Sequence, residues 1–159
     1  MSKGQELKFQ FAFAMAHDPK LLILDEPTGN FDPDFREQFL TMLKEFIADG
    51  RHSVLLATHI TDDLDRMADY ITYLENGKQL FCMDIESLHD TYSLVTGEAY
   101  KLRLLPKEDV IYMEEGAYTA KALIKYYARR PYDKEITLTL PTMEELMYFI
   151  TKRQKNVAV

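Results

Sequence analysis

Two short, unbroken apolar runs frame this chain's first third, and each ends in polar side chains with chemical potential. Leu21-Leu22-Ile23-Leu24 runs into Asp25-Glu26-Pro27, and Val54-Leu55-Leu56-Ala57 runs into Thr58-His59. A continuous apolar run of this length suits a strand buried on both faces, the pattern of parallel sheets. Between the runs, Asp32 can cap a helix and Pro33 suits its first turn. Phe35, Phe39, Met42, Leu43, Phe46 and Ile47 then fall on one helical face, and Gly50 closes it.

The neighbouring segments extend this order. Ser2 to about Ala16 reads as a helix, with Ser2 and Gln5 spaced as a capping box and Asp18-Pro19 as the stop. Thr61, Asp62 and Asp63 open a further helix to about Ala68. Tyr70–Glu75, Asn76-Gly77 and Lys78–Cys82 form a hairpin signal, followed by a short helix over roughly 84–90. The texture changes after about Thr91. Leu102–Leu105, Val110–Met113 and Ile136–Leu140 read as strands, while Tyr118–Tyr127 fits a strand or a helical face. A Thr142/Glu145 capping box opens a helix to about Lys152, with Leu146, Met147, Phe149 and Ile150 as its stripe. The expected fold class is therefore α/β: a core with a mostly parallel sheet over residues 1–90, then a small α+β appendage over 91–159.

Composition narrows the partners. The chain has 159 residues, a formal net charge of −7 and a pI near 5.1, a balance that argues against a nucleic-acid footprint. The apolar runs are too short to span a bilayer, so no transmembrane segment is expected, and Lys3, Glu6 and Lys8 interrupt any signal-peptide start. A single cysteine, Cys82, excludes an internal disulfide and reads as a small strand residue.

Several positions carry chemistry. Carboxylates at the end of a buried parallel strand lie where ligands bind such sheets. Asp25 there suits Mg²⁺ held through water, and Glu26 suits orienting or deprotonating a water. Ser2, Lys3, Gly4 and Gln5 place a hydroxyl, a cation, a permissive backbone and free amides at a helix start, a combination that binds anions. His59, after its own strand, can hydrogen-bond a phosphate or a water. Each feature taken singly is also an ordinary cap, acidic turn or strand-end histidine. His17, His52 and His89 lack supporting context and read as surface or loop residues.

Order and spacing together resemble the ATP-binding subunits of ABC transporters. Met1 to Gln5 resembles the signature motif, Leu21 to Glu26 resembles Walker B with its glutamate, Gly29-Asn30-Phe31-Asp32 resembles the D-loop, and His59 the switch histidine. Tyr92 to Thr151, closing with Leu140-Pro141-Thr142-Met143-Glu144-Glu145-Leu146-Met147, is similar to the tail of ATPases serving ABC-2-type exporters. The resemblance implies ATP and Mg²⁺ as ligands, with Asp25, Glu26 and His59 acting on the nucleotide in cis. It implies that Ser2, Lys3, Gly4 and Gln5 close on a partner's γ-phosphate in trans, and that Asp32 crosses the dimer interface. Its partners would be a second ATPase subunit and a membrane permease, at the cytoplasmic face of the membrane.

Departures from the pattern set further expectations. Lys3 replaces a glycine of the signature, and Lys8 stands where the family has arginine. No Gly-x-x-x-x-Gly-Lys-[Ser/Thr] loop occurs in the 159 residues, and the family's Q-loop and adenine-stacking aromatic have no counterpart. The chain is accordingly expected to resemble a portion of an ATPase that is inactive alone. The alternative is a non-catalytic, truncated subunit or interaction module that pairs with a complete ATPase.

Overall fold

Strands β1 (Leu21–Asp25) and β2 (Ser53–Ala57) pair in parallel, from Leu21 opposite Ser53 to Asp25 opposite Ala57. The computed structural model describes residues 3–125 and 135–157. The chain divides into two units, Met1–Met67 and Ala68–Val159. In the first unit, α1 (Lys3–Met15), α2 (Pro33–Ile47) and α3 (Thr61–Met67) accompany the parallel pair.

Helix α2 starts as its sequence demands. The Asp32 carboxylate accepts a 3.0 Å hydrogen bond from the Phe35 amide, and Pro33 occupies the first turn. At the other end Gly50 adopts φ 67°, in the left-handed region, and its amide donates to the Ile47 carbonyl. The buried face carries Phe39, Leu40 and Leu43, whereas Met42, expected on that stripe, is exposed. Leu22, Phe39 and Leu43 centre a core joined by Phe11 and Met15 of α1, Leu24, Val54 and Met67. Aromatic rings knit it: Phe11 lies 4.8 Å from Phe39, and Phe31 lies 4.7 Å from Phe35, both edge to face.

The strands are buried on one face rather than both. Leu22, Leu24 and Val54 turn into this core, but Leu21, Ile23 and Leu55 are 51%, 70% and 60% exposed. Side chains alternate across a strand, so a two-stranded sheet covered by helices on one side leaves alternate apolar residues bare.

In the second unit, β3 (Tyr70–Glu75) and β4 (Lys78–Asp84) form the expected antiparallel hairpin. Asn76 and Gly77 take φ 49° and 74°, as a two-residue turn that follows the strand twist requires. Cys82 lies exposed on β4. Asp84 caps α4 (Ile85–Thr91), accepting from the Ser87 amide at 2.7 Å.

The rest of this unit is a four-stranded antiparallel sheet in the order β6-β7-β5-β8, built from β5 (Tyr92–Glu98), β6 (Val110–Glu115), β7 (Thr119–Lys125) and β8 (Thr137–Thr139). Helix α6 (Met143–Val157) lies against β6 and β7. Its capping box is formed in both directions: the Glu145 amide donates to Thr142 Oγ1 at 3.2 Å, and the Thr142 amide to Glu145 Oε2 at 3.0 Å. Met143, Leu146 and Phe149 are buried, with Met147 and Ile150 half-buried beside them.

Two segments depart from the sequence reading, and the fold decides a third that the sequence left open. Leu102–Leu105 is not a strand: α5 (Ala99–Leu102) is a single helical turn that tucks Leu102 into the core with Val95, Ala120 and Ile124. A Cβ on Gly97 would lie 3.0 Å from Leu102 Cδ1, so the missing side chain at Gly97 makes that fit. Strand β5 was not anticipated, because Ser93, Thr96 and Gly97 dilute its apolar pattern. The ambiguous stretch forms β7 over Thr119–Lys125, and Tyr126 and Tyr127 lie outside the described residues.

Among the described residues no helix is long and apolar enough to cross a membrane.

Candidate functional site

Parallel register brings the carboxyl ends of β1 and β2 side by side, with Asp25 opposite Ala57. One step further, the Glu26 amide donates to the Ala57 carbonyl at 2.8 Å, which extends the ladder into the turn. Glu26 has φ 46°. A non-glycine residue in that region costs about 1–2 kcal/mol, so the surrounding contacts must hold it there.

Those contacts come from the loop after β2. Glu26 Oε2 lies 2.8 Å from His59 Nδ1, with Thr58 Oγ1 at 3.4 Å from the same oxygen. Thr58 Oγ1 also accepts the Ile60 amide at 3.0 Å, which fixes the loop that presents the imidazole. His59 is 78% and Glu26 43% exposed in their side chains, so solvent or a ligand reaches both.

A buried network braces this pair from behind. Asp63 of α3, fully buried, accepts a 2.6 Å bond from Thr28 Oγ1 and a 2.8 Å bond from Arg36 Nε. It therefore ties the turn after Glu26 and the start of α2 to the helix that follows His59. A carboxylate this buried is tolerable because both oxygens are satisfied, one by a cation. The sequence reading treated Asp63 as a helix-opening acid and left Thr28 and Arg36 unassigned. Nothing in their spacing signals that they meet.

The other expected residues are placed as follows. Asp25 is exposed at the end of β1, and its carboxylate makes no hydrogen bond or ion pair among the described residues. Asp32 has one oxygen engaged in capping α2. Gly4 lies in α1 where an added Cβ would come 3.3 Å from the Asn30 carbonyl oxygen, so the start of α1 approaches the Gly29–Asp32 loop at backbone distance. Gln5 also lies in α1, while Ser2 and the Lys3 side chain lie outside the described residues. Lys8 Nζ sits 3.6 Å from the centre of the Phe35 ring, a cation–π contact between α1 and α2. Among the described residues no three His, Cys, Asp or Glu side chains gather into a metal cage. Mg²⁺ commonly takes one or two protein carboxylates, with water and phosphate oxygens completing its shell, and Asp25 beside Glu26 fits that sparse donor set.

Part of this chain is similar in sequence to known proteins. The Nod factor export ATP-binding protein I of Neorhizobium galegae is 39% identical over 80 residues, 50% of this chain and 23% of that protein. The energy-coupling factor transporter ATP-binding protein EcfA2 of Streptococcus agalactiae is 40% identical over 78 residues, 49% of this chain and 28% of that protein. Over half its length, this chain is a homologue of ABC transporter ATP-binding proteins. A solved ABC transporter in an inward-facing conformation, described as of metal-chelate type, matches the ABC-type fold of this chain with a TM-score of 0.50 and 19% identity. That match covers 80% of this chain and 48% of the solved one. The curated ABC relatives are matched over about a quarter of their own length. No protein-family model matches the chain.

Proposed function

We propose that residues 1–90 supply the Walker B, switch-histidine and signature parts of an ABC-type ATPase that energises a membrane permease. The observation that carries this reading is the 2.8 Å pairing of Glu26 with His59 at the ends of adjacent parallel strands. Glu26 is the group that orients or deprotonates the attacking water. His59 holds that carboxylate through Nδ1. Its Nε2, unengaged among the described residues, accepts from water when the ring is neutral and donates to a phosphate oxygen when it is protonated. Asp25 holds Mg²⁺ through water, where the ion neutralises phosphate charge.

In this proposal Ser2, Lys3, Gly4 and Gln5 close on the γ-phosphate of ATP bound to a second ATPase subunit. The close approach of Gly4 to Asn30 supports a shared signature and D-loop surface, with Asp32 at its edge. The assembly works at the cytoplasmic face of the membrane, and residues 91–159 are an accessory region. The phosphate loop absent from these residues normally provides most ground-state contacts, so the 159-residue chain by itself binds ATP weakly and turns it over at background rate.

Equilibrium dialysis tests this division of labour. The chain alone should retain little Mg-ATP. The same residues joined behind the upstream part of an ABC ATP-binding relative should retain one nucleotide per chain. Stoichiometric, magnesium-dependent binding by the chain alone would overturn the need for a separate phosphate loop. Failure of the joined protein to bind or hydrolyse ATP would overturn the catalytic reading and favour an interaction module.

A further inference from the structure

We propose that the second unit contains a binding site for a small amphipathic organic anion, an acidic head on an apolar body. A pocket of about 590 Å³ opens between the β3–β4 hairpin, one end of the antiparallel sheet and α6. That volume lies within the range of about 300–1,000 Å³ typical of small-molecule sites. Phe81, Ile111 and Ile150 give it an apolar lining, and Lys78, Lys125 and Arg153 bring three cations to it from a strand start, a strand end and a helix.

Among the described residues none of these cations is ion-paired. Glu75, opposite Lys78 across the turn, is within 3.4 Å of Tyr73 Oη and 3.5 Å of Asn76 Nδ2 instead. Lys125 stands opposite Tyr92 in the β5–β7 ladder, with Nζ 5.8 Å from the ring centre, so it reaches over the pocket's aromatic side. The walls are also tied together: Tyr73 Oη and Thr151 Oγ1 are 2.8 Å apart, joining the hairpin to α6.

This arrangement is selective. Lysines and arginines on an ordinary surface point to solvent singly, beside carboxylates. In a chain of net charge −7, three converge here from separate elements on one apolar-lined pocket. Arginine and lysine together recognise a carboxylate or phosphate group, and the lining takes up the attached hydrocarbon or ring. Neither half accounts for the other: a bare anion would leave the apolar lining wet, and a neutral apolar ligand would leave the cations unused.

Isothermal titration calorimetry of the 159-residue chain with naphthyl phosphate, naphthol and inorganic phosphate tests the assignment. Naphthyl phosphate should bind, one molecule per chain, and more tightly than either of the others. Arg153→Gln and Lys125→Gln should each weaken it about tenfold, the loss of one charge-assisted hydrogen bond. Lys44→Gln on α2 should leave binding unchanged. Circular dichroism should show all three variants folded, since the altered side chains are at least partly exposed. No binding of naphthyl phosphate would overturn the site. Equal affinity for naphthol would reduce it to an apolar patch, and equal affinity for inorganic phosphate to a bare anion site; either outcome refutes the proposal. Binding lost in Leu55→Gln but kept in Arg153→Gln would move the ligand to the exposed face of the β1–β2 sheet and would also refute it.

Discussion

His59 Nδ1 lies 2.8 Å from Glu26 Oε2 although a whole helix separates the two residues in sequence. Parallel pairing in the register Asp25–Ala57 makes this meeting possible, because both residues then follow strands that end at the same edge of the sheet. An antiparallel pairing of the same strands would have sent them to opposite ends.

In the protein joined to a phosphate-loop half, Glu26→Gln should lower turnover by about 10²-fold or more while leaving ATP binding nearly unchanged. The amide keeps the size of the side chain but cannot accept a proton. His59→Ala should also slow turnover, with a smaller effect on binding. Single-turnover hydrolysis alongside nucleotide-binding measurements separates the two. Turnover at the unmutated rate in Glu26→Gln would remove Glu26 from the mechanism.

Asp63→Ala should destabilise the first unit by about 3–5 kcal/mol. It leaves Arg36 facing a buried void and Thr28 without its acceptor. Asp63→Asn, which can still accept from one of them, should cost less. Urea unfolding followed by far-UV circular dichroism reads both, because the first unit carries no tyrosine or tryptophan. A change within about 0.5 kcal/mol for Asp63→Ala, the range of ordinary surface substitutions, would show that the network braces nothing.

The bare face of β1 and β2 should make the chain self-associate. Leu21, Ile23 and Leu55 lie on one exposed side of adjacent strands, an apolar patch of the kind that seeks a partner. Ile23→Ser with Leu55→Gln should shift sedimentation towards monomer without loss of secondary structure. A wild-type chain that stays monomeric at high concentration would contradict this.

Acid should weaken the second unit partly through Glu145. Burial pushes this carboxyl up. The hydrogen bond from Lys121, 2.5 Å away, together with the Thr142 amide, outweighs burial and holds it below its ordinary 4.5. A carboxyl depressed in the folded state stabilises the fold above 4.5, and that contribution is lost as pH falls through the folded value. The melting temperature should therefore fall less steeply below pH 4.5 in Glu145→Gln than in the unmutated chain. Some slope should remain in the variant, because Asp84 and Glu115 of the same unit are depressed in the same direction. Identical profiles would show that the α6 cap does not carry this charge.

The sequence by itself determined whatever depends on neighbours a few residues apart. The Asp32 cap, the Asn76-Gly77 turn and the reciprocal Thr142/Glu145 box all follow from local hydrogen-bonding chemistry, and the structure forms each of them. It also marked Asp25, Glu26 and His59, because short apolar runs ending in polar residues read clearly as strand ends. Tertiary structure decided what depends on residues far apart in the chain. Only folding joins Thr28 and Arg36 to Asp63, turns Leu21, Ile23 and Leu55 outward, and winds Leu102 into a helical turn beneath Gly97. Periodicity records how a residue relates to its own element. Which side of that element is covered, and by what, depends on how many layers pack there, and that is a property of the assembled fold.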